Sequence, residues 1–198
     1  MKYIELRQKI KTPIFSLQDL KVAGFKVRSR QLSEWADNNY LIKLKNGVYL
    51  FADKKEAVLK EHVAFNICQP SYVSLEWALS IYGLIPETVY NVTSITVRAT
   101  REYNNDLGGF IYRHVKKELF FGYNKITKNS QTFLLAEPEK ALLDYLYLNA
   151  HKIKTEDDIE ELRLNEFNLK KLNKSKIKKY SGAFPVKSGV KNILKLIF

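Results

Sequence analysis

The chain has 198 residues, enough for one large core or two small ones, and its 45% hydrophobic content excludes a wholly disordered polymer. Thirty-three Lys and Arg against 21 Asp and Glu leave a net charge of +12, which points to an acidic partner, nucleic acid foremost. A single cysteine, Cys68, excludes an intrachain disulfide. No segment has the apolar length of a membrane span, and the start MKYIELRQKIK lacks a signal core, so the expected setting is the cytoplasm with no membrane partner.

In chain order, residues 1–11 are expected to form a helix that offers Ile4, Leu6 and Ile10 for packing. Ser16 then precedes an apolar-periodic stretch, with Asp19 three residues on, a variant of the capping box. Leu17, Leu20 and Val22 are its apolar positions, and Gly24 is placed to end it in a left-handed conformation. Ser29 is the expected cap of the next helix. There Leu32, Trp35 and Ala36 share one face, with Arg30, Ser33 and Glu34 opposite. Residues 40–51 are β-rich and broken by Asn46-Gly47, a tight-turn dipeptide, which predicts strands Leu41–Lys45 and Val48–Phe51. Helix, turn, helix and ribbon is the order of a winged helix-turn-helix, expected here over 1–52.

The charges fit a DNA-reading module. Lys26, Arg28, Ser29, Arg30, Gln31 and Ser33 cluster at the start of the second helix, whose N-terminal residues would reach base edges, and Arg is the common bidentate partner of guanine. Lys43, Lys45 and Asn46 sit on the ribbon, placed to meet phosphate. The bland alternative is a solvated basic face in which Arg30 and Glu34 pair at i, i+4.

Residues 53–69 are expected to be a linking helix, with Val58, Leu59, His62, Val63, Phe65 and Ile67 as its apolar or semi-apolar positions and Pro70 as its stop. A mixed α/β domain follows over 70–150. In it Ser74 caps a helix burying Leu75, Ala78, Leu79 and Tyr82. Residues 89–100 alternate as a strand, with Val89, Asn91, Thr93, Ile95 and Val97 on one face. Gly108-Gly109 turns into a strand over 110–115, and 119–126 and 132–135 supply further strands. Pro138 opens a densely apolar, buried helix with Ala141, Leu142, Leu143, Tyr145, Leu146 and Leu148. Residues 151–198 are a helical tail, acidic over 156–166 and carrying only positive charges from Lys170 onward. The fold class expected is therefore α+β: a winged helix-turn-helix, a mixed α/β domain and a basic helical tail.

A second basic set, Arg98, Arg101, Arg113, His114 and Lys116, comes from two strands joined by one turn and is expected to share a surface. Catalysis finds little support. Glu137, Glu139 and Lys140 suggest a nuclease with a targeting module, but they open a helix, where acids suit the N-terminal dipole, and lack the strand spacing of such sites. His62, His114 and His151 are scattered, and no His or Cys has zinc spacing, so no metal and no cofactor are expected.

Four stretches carry a resemblance. PSYVSLEWALSIYGLIPE, VTSITVRATREYNNDLGGFIYRHV, ELFFGY and AEPEKALLDYLYL follow in that order after RSRQLSEWADNNYLIKLKNGVYLF. Over roughly residues 10–150 the chain resembles the AbiEi family of antitoxins from type IV toxin–antitoxin systems. The resemblance implies a winged domain that binds inverted repeats in double-stranded DNA of its own promoter and represses the operon. It also implies a C-terminal domain that counters a nucleotidyltransferase toxin encoded alongside, without forming a stable complex. The second basic set, read from the residues of that domain, is the expected antitoxin surface.

Overall fold

The computed structural model describes residues 2–198 and is mixed α+β. The first part runs α1 (Tyr3–Lys9), β1 (Ile14–Ser16), α2 (Leu17–Val22), α3 (Ser29–Asp37), β2 (Leu41–Lys45) and β3 (Val48–Phe51). Its three strands form an antiparallel sheet in the order β1-β3-β2. Met1, at the edge of the expected first helix, lies outside the described residues.

Local chemistry explains these elements. Ser16 and Asp19 form the full reciprocal capping box at the start of α2. At its end Gly24 takes φ +78°, Gly24 N–H donates to Lys21 C=O and Phe25 N–H donates to Leu20 C=O, the paired bonds of a Schellman stop. Asn39 repeats the device after α3, with φ +58° and a bond from Tyr40 N–H to Trp35 C=O. The β2–β3 turn departs from the mirror-image type that Asn-Gly favours. Only Gly47 has positive φ, and a bulge between Lys43 and Lys45 absorbs the twist. Three expected apolar positions are wet: Val22 is 80% exposed, Ile4 56% and Leu17 40%. Val22 lies five residues from Leu17, well off the face that buries Leu20.

The second part continues with α4 (Lys60–Ile67), β4 (Ser71–Val73), α5 (Leu75–Ile81), β5 (Val92–Thr96), β6 (Arg101–Asn105), β7 (Gly108–His114), β8 (Tyr123–Lys128), β9 (Gln131–Ala136) and α6 (Pro138–Asn149). Six strands form one mixed sheet in the order β6-β7-β5-β4-β9-β8. The central pair β4–β5 is antiparallel, the pairs β5–β7 and β4–β9 on either side of it are parallel, and each outer strand closes an antiparallel hairpin. Helix α4 covers one face, where Tyr112 Oη donates to the Ala64 carbonyl. Helices α5 and α6 cover the other, where Trp77 N–H bonds Thr93 Oγ1 and Tyr72 Oη bonds Asp144.

Three expectations change here. The strand expected over 89–100 shortens to β5 and is buried on both faces, so its apparent alternation carries no solvent side. The strand that pairs beside β7 in a tight hairpin is β6, turning at Asp106-Leu107, so the two arginine-bearing strands are not β5 and β7. The linking helix is only α4; Val58 and Leu59 lie in the turn before it.

The tail forms α7 (Glu156–Glu161), α8 (Glu166–Leu169), α9 (Lys174–Ser181) and α10 (Val190–Ile197). The single helix expected over 156–166 is thus two, broken where Arg163 takes φ +50°. Leu169, Leu172, Ile177, Val190 and Ile193 bury the tail against the larger core.

The two cores meet at one sheet. Phe15, Leu41, Tyr49 and Phe51 face α1–α3, whereas Ile14, Ile42, Leu44, Val48 and Leu50 belong to the core of the second part with Val63, Ala64 and Ile67. Alternation along each strand turns successive side chains to opposite faces, so β1, β2 and β3 serve both. No helix among the described residues is long and apolar enough to cross a membrane.

Candidate nucleic-acid interface

Leu32 and Trp35 anchor α3 on the smaller core, which turns its outer face to solvent. Lys26, Arg28, Ser29, Arg30 and Ser33 are all exposed there, and Gln31 is half-buried. Ser29 does not cap the helix. The cap position is Arg28, without a side-chain cap bond, and the Ser29 carbonyl accepts from the Ser33 hydroxyl at 3.3 Å. Arg30 Nε donates to Glu34 Oε1 at 3.1 Å, with the Arg30 side chain 89% exposed. An exposed i, i+4 pair contributes only about 0.3–0.5 kcal/mol, so Glu34 holds this guanidinium weakly.

On the β2–β3 hairpin Lys43 and Asn46 are exposed and Lys45 is half-buried. It lies against β6, where the Asn105 side-chain amide donates to the Leu44 carbonyl at 3.2 Å. The junction leaves a hollow of about 460 Å³ lined by Lys43, Lys45 and Asn46 from the hairpin and by Arg101 and Asn104 from β6. A neighbouring crevice of about 330 Å³ sets Arg98 beside Lys45, with Asp19 and Asn66 on its walls. Arg98 and Arg101 therefore stand with the hairpin lysines.

The remaining members of the second basic set go elsewhere. Arg101 pairs with Tyr112 across β6–β7, so Arg113, one residue on, projects from the opposite face of the sheet. There it lines a cleft with Glu76, Glu87 and Glu161. His114 and Lys116 line a third hollow with His151 and Lys187. The single five-residue surface expected from sequence is thus three surfaces, because strand alternation and the intervening β6 hairpin separate neighbours in the chain.

The acids that suggested a nuclease hold the tail. Glu137 Oε2 accepts from Tyr180 Oη at 2.7 Å and from Lys176 Nζ at 3.0 Å, and Glu139 accepts from Asn173 N–H at 2.8 Å. Burial raises the Glu137 carboxyl, but the bonds from Tyr180 and Lys176 outweigh it and hold the group below the ordinary glutamate range.

Sequence reasoning missed a buried polar cluster beneath α5. Lys140 and Asp144 are both 0% exposed and bond each other across one turn of α6. Asp144 Oδ2 also accepts from Tyr72 Oη and from Ser74 Oγ, each at 2.9 Å, and Lys140 Nζ donates to Tyr72 Oη at 2.9 Å. Ser74 thus sits at the N-cap position of α5 but gives its hydroxyl to Asp144 rather than to the helix. Burial drives the Lys140 ammonium down and the Asp144 carboxyl up, each partly opposed by the other's charge. The one signal available was a Lys and an Asp four apart on a helix otherwise too apolar to have a wet face. Among the described residues no three His, Cys, Asp or Glu side chains gather as metal ligands would. No protein-family model matches this chain, and comparison with curated proteins returns no match.

Proposed function

We propose that the chain is a DNA-binding antitoxin that represses its own operon. In this reading residues 1–52 act as a winged helix-turn-helix: α3 enters the major groove, and the β2–β3 hairpin, as the wing, meets phosphate. The observation that carries it is the common exposure of Lys26, Arg28 and Arg30 at the start of α3 and of Lys43 and Asn46 on the hairpin. Arg98 and Arg101, brought to the hairpin by the Asn105 bond, extend the phosphate-contacting surface onto the second sheet. The net charge of +12 supplies the sequence-independent part of the attraction.

The antitoxin role and the nucleotidyltransferase toxin as functional target rest on the resemblance of residues 10–150 to the AbiEi family. The alternative nuclease reading loses support because Glu137 and Glu139 are already engaged by the tail. Fluorescence anisotropy with a duplex spanning the chain's own promoter, at several salt concentrations, tests the DNA reading. Saturable binding that weakens linearly in log affinity against log salt is expected. No preference for the promoter over a scrambled duplex, or unchanged affinity after Arg28→Ala with Arg30→Ala, sinks it.

A further inference from the structure

A hollow of about 650 Å³ opens where the end of β7, the end of α6 and the start of α10 converge. Four basic side chains line it: His114 and Lys116 after β7, His151 after α6, and Lys187 in the turn before α10. No carboxylate is among its lining residues, and none of the four forms an ion pair among the described residues. His114 is held by its Nδ1–H, 3.0 Å from the Arg98 carbonyl, and its backbone N–H bonds Thr100 Oγ1 at 3.1 Å.

Two further features suit an anion. Gly189 lines the hollow and precedes the first turn of α10, where the Asn192 amide bonds the Gly189 carbonyl at 3.0 Å and the Val190 and Lys191 amides have no acceptor within the helix. Tyr147, Leu148 and Val115 form an apolar wall beside the cations. The carbonyl end of α6 works against an anion, but it amounts to about half a negative charge, and two full lysine charges outweigh it. The volume lies within the range of about 300–1,000 Å³ typical of small-ligand sites.

We propose that this hollow binds a phosphorylated small molecule. Lys116, Lys187 and His151 hold its phosphates, His114 joins them through Nε2 as an imidazolium or by accepting from a protonated phosphate oxygen, and Tyr147 packs against its organic part. The site is separate from the DNA face and does not depend on the DNA reading. A small anion fits better than a duplex, because the four exposed side chains come from three elements that converge on one hollow rather than from one ridge.

Calorimetric titration of the full chain with pyrophosphate and with ATP, each in EDTA, tests this. Saturable one-site binding of both is expected. Lys116→Ala combined with Lys187→Ala should weaken both by roughly tenfold or more, as loss of charge-assisted hydrogen bonds predicts. Lys43→Ala with Lys45→Ala should leave both affinities unchanged. In the unsubstituted protein, pyrophosphate should shift the ring ¹⁵N signals of His114 and His151, a readout that no folding defect can mimic. Absence of saturable binding overturns the proposal. So does binding that survives the Lys116/Lys187 change, or binding lost with Lys43 and Lys45, which would place the anion on the DNA face.

Discussion

The Asn105 side-chain amide donates to the main-chain carbonyl of Leu44 at 3.2 Å, and so ties the strand before the β2–β3 turn to the outermost strand of the other sheet. Its Oδ1 meanwhile accepts from Leu107 N–H at 2.9 Å, which fixes the amide's orientation. Asn105→Ala should cost about 0.5–1.5 kcal/mol, the net value of a hydrogen bond of this kind. Amide hydrogen exchange over 43–46 should quicken more than exchange in α3. If the hairpin amides exchange as in the parent, the tether does not order the hairpin.

Arg30 and Glu34 compete with any DNA contact made by Arg30. Glu34→Gln should raise promoter affinity by releasing the guanidinium and removing a negative charge from the face of α3. Stability should change by less than about 0.5 kcal/mol, because the pair is exposed. Arg30→Ala should cost about 1–3 kcal/mol on the promoter and relax base preference, whereas Lys45→Ala should weaken all duplexes alike and lower the salt slope by about one unit. Anisotropy with promoter and scrambled duplexes separates these outcomes. A loss for Arg30→Ala that is equal on both duplexes would remove it from base reading.

Lys140 and Asp144 should be inseparable in mutation. Asp144→Ala leaves a buried ammonium with Tyr72 as its hydrogen-bond partner and only aromatic rings otherwise around it, and should cost about 3–5 kcal/mol, as one-sided loss of a buried pair does. Replacing both, with Lys140→Met and Asp144→Leu, should recover most of that. Urea midpoints of the single and double variants measure the coupling, and simple additivity would contradict it.

Glu137 makes the docking of the tail depend on pH. Its carboxyl titrates lower in the folded chain than in the unfolded one, so its contribution is present above the ordinary glutamate range, about 4.3, and fades as pH falls through the folded value. Stability followed by urea unfolding on acidification should show this loss, and Glu137→Gln should flatten that part of the profile. A profile unchanged by Glu137→Gln would mean that Tyr180 and Lys176 do not hold the tail through this carboxylate.

What was legible in the sequence was local. Ser16 with Asp19, Gly24, and the Asn46-Gly47 break each act within a few residues, and all three appear where the chain predicts them. Pairing between distant segments was not legible. The three-residue β4 lies inside what reads as the approach to a helix, and its parallel partner β9 is some sixty residues away. The second basic set failed for the same reason: nothing in the chain says that β6 intervenes, or that Arg113 faces away from Arg101. The burial of Lys140 was not legible because a charged residue at a helix start ordinarily stays wet.

The sheet shared by both cores bears on separating the two proposed activities. A chain beginning at residue 53 would leave Val63, Ala64 and Ile67 without Ile14, Ile42, Leu44, Val48 and Leu50. Such a chain should bind a hydrophobic dye and melt well below the parent. Point changes on α3, rather than truncation, should silence promoter binding while leaving the fold intact. A truncated chain that melts cooperatively at the parent temperature would show that the sheet adds nothing to the larger core.

The same shared sheet limits how this architecture can be recombined. Reading heads that join a scaffold by a bare linker can be exchanged between lineages by fusion alone. Here a foreign head would have to bring its own Ile14, Ile42, Leu44, Val48 and Leu50, spaced to fit α4. If residues 1–52 read DNA as proposed, operator preference would change by substitution on the outer face of α3, while the inner face of β1–β3 stays matched to α4 residues more than a dozen positions away.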